Sequence, residues 1–187
     1  MTDLPLAASH DAFPNHVFDA FGVPPGLLDE RIGGSVMIVA KRPSDGPLTL
    51  LTAGVSRLPV DAGTPVELAV EVVEGQEGAA LVALRIVCDD IAVNRRTPPF
   101  ESPWRNGDPF LSGTQISAIM ATGSRWGAAL DDVVDPAGNV VGHVRTLRLL
   151  TDAEAQTASR VGWSGLVEEA GSIDALLDVT RPDVTRP

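Results

Sequence analysis

The side chains that could perform nucleophilic chemistry are few in this 187-residue chain, and their surroundings are not those of a catalytic site. Ser56 lies in Gly54-Val-Ser56-Arg-Leu, which lacks the second glycine of a nucleophile elbow and precedes no predicted helix. We interpret it as part of a strand-end turn. Cys88, the single cysteine, lies on the apolar stripe of a predicted helix, as a buried structural thiol does. With no Gly-x-x-x-x-Gly-Lys phosphate loop either, we predict no catalytic residue and no cofactor.

The candidate metal ligands are three histidines and one acidic cluster: His10, His16 and His143, and Asp131, Asp132 and Asp135. The first two histidines are six residues apart with a proline between them, so no regular element places both on one face. The acidic cluster lacks the alternating spacing of a calcium loop, and we interpret it as a solvated turn. No metal site is predicted. A hydrolase that uses His143 with this cluster remains an alternative, and it requires these groups to line one cleft with perturbed pKa values.

Charge excludes two classes of partner. The chain has 25 acidic and 14 basic residues, which gives a net charge of −11 and opposes binding to nucleic acid and to anionic membranes. The amino terminus has no basic region, and apolar runs such as residues 36–40 are too short to span a bilayer, so we expect a cytoplasmic protein. The acids are concentrated in residues 1–30, 61–77 and 131–135.

Hydrophobic periodicity predicts an α+β fold in a single domain, with a largely antiparallel mixed sheet, a central helix and short C-terminal helices packed on it. The strands are predicted at 35–40, 48–53, 66–72, 115–121 and 140–150, and the helices at 16–21, 78–94, 152–160, 165–170 and 173–178. Thr151-Asp-Ala-Glu154 is a capping box that starts the third helix. The adjacent acids Asp89 and Asp90 are interpreted as part of a solvated helix face.

The strand at 66–72 alternates apolar residues with Glu67, Ala69 and Glu71, which predicts one buried face and one face in water. With Asp61, Glu74 and Glu77 these acids form a stretch with no basic residue. The stretch is either a solvated face or an acidic surface for a basic partner.

The loop at 95–113 is predicted to be irregular because its prolines prevent a helix. It interleaves three aromatic and three basic residues, which are types enriched at protein–protein hot spots: Phe100, Trp104 and Phe110, and Arg95, Arg96 and Arg105. We predict that these six residues bind a partner. The alternative is that the aromatic rings fold back into a small satellite core.

The segment Leu48-Thr-Leu-Leu-Thr-Ala-Gly-Val-Ser56, followed by Pro65-Val-Glu-Leu-Ala-Val-Glu-Val72, resembles the suppressor-of-fused domain. The resemblance continues in order through the central helix, the Pro/Trp loop, the strand at 144–150 with its capping box, Gly162-Trp163 and the ending at 177–181. It covers residues 34–182. The expected organisation is an N-terminal segment with a short helix at 1–33, the domain at 34–182, and a tail at 183–187 that repeats Asp-Val-Thr-Arg-Pro.

The resemblance implies a protein-binding domain without known chemistry, and we separately expect a monomer. Stand-alone bacterial members are thought to act as immunity proteins that neutralise a toxin, and the single lysine among many arginines suits a high-GC bacterium. The family's partner peptide is held between positions equivalent to Cys88 and Trp104. The family's contacting acid has no equivalent, since Phe100 or Glu101 stands in its place. The alternatives are a regulator that sequesters a transcription or secretion factor, and a small hydrolase.

Overall fold

The computed structural model describes residues 13, 15–17, 19–20, 26–32, 36–41, 46–61 and 63–184. Its strands are β1 (Gly26–Ile32), β2 (Val36–Lys41), β3 (Leu48–Ala53), β4 (Val66–Val72), β5 (Trp104–Arg105), β6 (Ile116–Thr122), β7 (Asp132–Val134) and β8 (Val140–Thr151). Its helices are α1 (Glu77–Asn94), α2 (Ala128–Asp131) and α3 (Asp152–Ala170), with 3-10 turns at Val55–Arg57 and Asp174–Leu176.

All these strands form one sheet in the order β1-β2-β3-β4-β8-β6-β5, and β7 pairs with β8 outside this path. Among the described strand pairs, β4 and β8 alone run parallel, and the others are antiparallel. The α+β prediction with a largely antiparallel mixed sheet is therefore confirmed. Strand β1 belongs to this sheet, so in the described residues the sheet extends back to Gly26, within the segment 1–33 that was expected to precede the domain.

Helices cover both faces of the sheet. On one face α1 packs Leu84 and Ile91 against Leu68 and Val70 of β4. On the opposite face, α3 packs Trp163 and Leu166 against β6 and β8. Helical residues near the amino terminus, including Phe13 and Val17, join that second face beside Ala69 of β4. Strand β4 is buried along its whole length as a result.

The prediction that one face of β4 lies in water is wrong. Glu67 is 2% exposed and Glu71 5% exposed, because helical segments cover the face that carries them. The Glu67 carboxylate accepts hydrogen bonds from Thr52 Oγ1 (2.5 Å) and Ser56 Oγ (2.6 Å) and from the backbone amides of residues 54–56. Burial raises the pKa of Glu67, although the hydrogen bonds from Ser56, Thr52 and Gly54 oppose the rise. This carboxylate fixes the turn that follows β3.

Glu71 is the centre of a second buried cluster. It pairs with the guanidinium of Arg148, which is 4% exposed, and with Nε of Arg125 at 3.1 Å. Arg148 also donates to Thr122 Oγ1 at 3.0 Å, and its guanidinium lies 4.9 Å from the ring centroid of Trp163. These contacts join β4, β6, β8 and α3. The two acids of β4, Glu67 and Glu71, therefore form hydrogen bonds and ion pairs inside the protein.

The capping box that starts α3 is confirmed. Thr151 Oγ1 accepts from the Glu154 amide at 3.2 Å, and Glu154 Oε2 accepts from the Thr151 amide at 2.9 Å. Arg181 extends back to this carboxylate through Nη2 at 2.5 Å and Nε at 3.1 Å, and both side chains are buried. The C-terminal segment is thereby tied to the start of α3.

The C-terminal helices differ from their predicted bounds. Helix α3 continues to Ala170, and its two helical parts meet at Gly162, whose φ of 78° interrupts the helical backbone. The helix predicted at 173–178 is wrong beyond a 3-10 turn at Asp174–Leu176. The chain leaves helical geometry there, and Asp178 accepts hydrogen bonds from Gln76 Nε2 and from Thr180. This direction brings Arg181 to Glu154.

The predictions at 78–94, 48–53 and 66–72 are confirmed within one residue. At 16–21, residues 16, 17, 19 and 20 are helical, whereas residues 18 and 21 lie outside the described residues, as do residue 35 of the predicted first strand and residues 185–187 of the tail. Strands β1, β5 and β7 and helix α2 were not predicted. In the part of the chain that the structure describes, no helix is both long and apolar enough to cross a bilayer.

Candidate binding groove

A groove of about 730 Å³ lies between the second half of α1 and the loop that follows it. Ile119 and Ala121 of β6 and Leu147 of β8 contribute to its lining from the sheet. The α1 wall contains Ile86, Val87 and Val93, and the loop wall is rich in proline and ends at Trp104. We call this feature the α1 groove.

The loop wall is held in place by backbone geometry. Helix α1 ends where Arg95 adopts a left-handed conformation (φ 51°) and its amide donates to the Ile91 carbonyl at 2.8 Å. Further on, the loop follows the edge of β6. The amides of Glu101 and Asn106 donate to carbonyls of β6 at 2.8 Å each, and Trp104 pairs with Ile119. The loop predicted to be irregular is therefore docked on the sheet and contains a short strand.

The three aromatic residues of the loop have different surroundings. Phe100 is 51% exposed and its ring lies 4.7 Å from the guanidinium of Arg145. Trp104 is 47% exposed, with its ring centroid 6.1 Å from that of Phe110. Phe110 is half-buried and packs against the α1 side of the core. The satellite-core alternative thus describes Phe110, whereas Phe100 and Trp104 remain accessible.

The three arginines also differ. Arg105 donates to Asp152 Oδ1 through Nε at 2.8 Å and Nη2 at 2.5 Å, and this contact lowers the pKa of Asp152. Arg95 pairs with Asp61 at 2.9 Å, between exposed side chains. Arg96 lines the α1 groove, and within the described residues its guanidinium forms no ion pair. Arg96 is therefore the arginine of the three that is available to a partner.

Asp89 and Asp90 also line the groove, from its helical wall. Both are exposed, and Asp90 accepts a hydrogen bond from Asn94 Nδ2 at 2.6 Å. From the sequence, this pair is expected to be part of an ordinary solvated face. The signal that could have found it is its position, one turn before the end of a helix that leads directly into a proline-rich loop.

The candidate nucleophiles lie elsewhere and are engaged in packing or hydrogen bonds. Ser56 Oγ donates to Glu67, as the turn interpretation requires. Cys88 is fully buried, and desolvation raises the pKa of its thiol to about 12, reinforced by the charges of Glu67 and Asp89. A thiol with this pKa carries almost no thiolate at neutral pH.

His143 and the residues of the acidic cluster form separate local contacts. His143 Nδ1 lies 3.0 Å from Asp132 Oδ1, because the two residues face each other across β7 and β8. Asp131 accepts from the Ser124 amide at 2.8 Å, and burial raises its pKa. Asp135 accepts from Asn139 in an exposed turn, which lowers its pKa.

None of the four residues His143, Asp131, Asp132 and Asp135 lines the α1 groove. His16 Nε2 is 2.8 Å from the Leu130 carbonyl, and His10 lies outside the described residues. Within the described ranges, no three His, Cys, Asp or Glu residues are arranged to hold a metal ion.

Comparison with known proteins finds likeness in structure alone. No family model matches the sequence, and no curated protein matches it. The fold superimposes on the crystal structure of the Sufu–Fu complex with a TM-score of 0.66 at 13% identity, over 94% of this chain and 91% of that one. A putative suppressor-of-fused homolog from Neisseria gonorrhoeae FA 1090 gives 0.67 at 13% identity, over 95% and 97%.

Drosophila Suppressor of Fused gives a TM-score of 0.65 at 12% identity. The match covers 93% of this chain and 50% of the Drosophila chain. Identities this low establish architecture, and the architecture is the same in the three matches across almost the whole chain. The resemblance that the strand, turn and capping motifs indicated is confirmed at the level of structure: the chain has the suppressor-of-fused fold.

Proposed function

We propose that this chain is a protein-binding domain that acts as an immunity protein and neutralises a toxin by occlusion. The observation that carries the proposal is the α1 groove, whose lining includes the half-exposed ring of Trp104, with the equally exposed Phe100 in the same loop. Exposed aromatic residues at the rim of an apolar depression are typical of protein-binding surfaces, since their burial by a partner removes apolar area from water.

The comparisons support a protein partner in general. One crystal structure with this fold is that of a complex, Sufu with Fu, and the Neisseria gonorrhoeae homolog is covered almost entirely by this chain. The groove also coincides with the region between Cys88 and Trp104, where the family resemblance implies that a partner peptide is held. We therefore propose Phe100, Trp104 and Arg96 as the contact residues among the six that the sequence singled out.

The proposed mechanism is occlusion assisted by charge. The chain carries a net charge of −11, which accelerates association with a basic protein such as a nuclease toxin and makes the association sensitive to salt. The two buried acids of β4 take no part in this contact, because Glu67 and Glu71 are enclosed by the core. The acids available to a basic toxin lie elsewhere, including Asp89 and Asp90 on the groove.

The experiment is co-expression with the product of the neighbouring gene, which this proposal expects to be the toxin. The wild type should restore growth and co-elute with the toxin in gel filtration, and the double variant F100A/W104A should do neither. Val134→Ala is the matched control, because Val134 is 48% exposed and lies outside the groove lining. Unchanged toxicity with the wild type, together with no complex in gel filtration, would exclude the immunity function.

A regulatory protein that sequesters a transcription or secretion factor is the second candidate, and the complex of Sufu with Fu supports a protein partner in general. It would use the same groove with a different partner, in the cytoplasm and as a monomer. The identity of the protein that co-purifies with the wild type but not with F100A/W104A separates the two candidates.

A further inference from the structure

We infer that the α1 groove takes an apolar segment of its partner in which a lysine or arginine adjoins the inserted apolar side chains. This inference rests on the proposed function, since it names the chemistry of the segment that a partner would present to this groove.

The apolar part of the inference follows from the lining. Ile119, Ala121 and Leu147 provide aliphatic surface from the sheet, Val93 on the helical wall is 78% exposed, and Trp104 lies at the end of the loop wall. A volume of about 730 Å³ accommodates several side chains of an extended or helical segment. A polar segment would lose its hydration there without finding enough hydrogen-bond partners, so the groove favours apolar side chains.

The basic part follows from the charges on the two walls. The Asp89 carboxylate has no hydrogen-bond or ion-pair partner within the described residues, and Asp90 has Asn94 as its side-chain partner there. Arg85 lies one helical turn before Asp89 and forms no ion pair with it. A lysine or arginine of the partner beside this wall would therefore meet two adjacent carboxylates, next to a surface of low dielectric that strengthens the attraction.

Arg96, at the start of the loop wall, sets the position of that basic residue. Its guanidinium is exposed and forms no ion pair in the described part of the chain, so it repels a cation placed near the loop. The partner's basic side chain thus lies on the α1 side of the segment, and a neutral or acidic residue faces Arg96.

The test uses three heptapeptide libraries with the same three apolar positions, two Leu and one Phe, and with two Lys, two Gln or two Glu at the flanking positions. Binding is followed by tryptophan fluorescence, because Trp104 is 47% exposed whereas Trp163 is 8% exposed and Trp126 is half-buried. We expect the Lys library to bind about tenfold more tightly than the Glu library at low salt, with the preference declining as salt is added.

Two double variants distinguish charge-dependent recognition from non-specific apolar binding. Asp89→Asn combined with Asp90→Asn should remove the preference for Lys and leave binding of the Gln library unchanged. The matched control is Glu168→Gln with Glu169→Gln, a second adjacent exposed pair, which carries the same change of charge on α3. Thermal unfolding of both double variants should match the wild type, since these carboxylates are exposed.

The inference fails if the Gln or Glu library binds as tightly as the Lys library, or if the α3 control abolishes the preference equally. It also fails if no library binds while toxin binding still depends on Trp104, and in that case the proposed function survives. Lys-selective binding without any toxin neutralisation would support the groove chemistry and contradict the immunity function.

Discussion

Two regions of the molecule use charged side chains in opposite ways. In the interior, Glu71 is enclosed with Arg148 and Arg125, and Glu154 with Arg181, so each of these carboxylates has a basic partner at close range. At the α1 groove, Asp89 and Arg96 are exposed and unpaired within the described residues. Buried charges need partners to be tolerated, whereas exposed ones do not. Within the described residues, Asp89 and Arg96 of the groove are therefore charges that no ion pair inside the protein neutralises.

The largest effect is expected at the buried pair that ties the C-terminal segment to α3. Arg181→Ala leaves the fully buried Glu154 carboxylate without its cation and also removes a hydrogen bond to the Leu149 carbonyl. We expect the free energy of unfolding to fall by about 3–5 kcal/mol, measured by urea denaturation. Arg160→Ala is the control, because its contact with Glu169 is 3.6 Å long and exposed, and it should cost under about 1 kcal/mol.

Equal losses for the two variants would remove the distinction between interior and surface charge. Peptide binding to the folded Arg181→Ala protein should equal that of the wild type, since Arg181 does not line the groove.

Phe110 and Trp104 provide a second contrast, within one loop. Phe110→Ala removes a half-buried ring from the α1 side of the core, and we expect the Tm to fall by about 5 °C or more. Trp104→Ala removes a ring that is 47% exposed, so the Tm should stay within about 3 °C while affinity for the partner drops about tenfold or more. A large loss of Tm in Trp104→Ala would instead assign this ring to the core.

The buried Glu67 predicts a pH dependence. Burial raises the pKa of Glu67 above its ordinary value of 4.5, so the folded state binds the proton more tightly than the unfolded state. The stability that this group contributes is therefore fully present below pH 4.5 and is lost as the pH rises through the folded-state pKa. Asp131, whose pKa is also raised, contributes with the same sign.

Glu67→Gln is the test, because the amide keeps the size of the side chain and does not titrate. The difference in unfolding free energy between wild type and variant should shrink as the pH rises above 4.5, measured by urea denaturation at several pH values. A constant difference would show that the pKa of Glu67 is the same in the folded and unfolded states.

The sequence predicted the sheet, the central helix and the capping box because each leaves a local pattern: alternation in β4, a three-to-four-residue spacing in α1, and Thr151 with Glu154. It failed on Glu67 and Glu71, since alternation shows that a strand has two kinds of face and does not show what covers each face. The groove was predicted in part. The aromatic loop was identified from composition. Asp89 and Asp90 could not be identified in this way, because only the fold shows that they line one groove together with the proline-rich loop.

The smallest effect is expected at Arg105, which follows Trp104 just beyond the end of the loop wall. Its contact with Asp152 joins the loop to the start of α3, yet both side chains are 40% exposed or more. Exposed pairs contribute about 0.2–1 kcal/mol because water and salt screen them, so Arg105→Ala should destabilise by no more than this amount. The difference from wild type should shrink further in 0.5 M salt, whereas the loss in Arg181→Ala should persist. A salt-independent loss would mean that Arg105 holds the loop through packing of its aliphatic part and not through its charge.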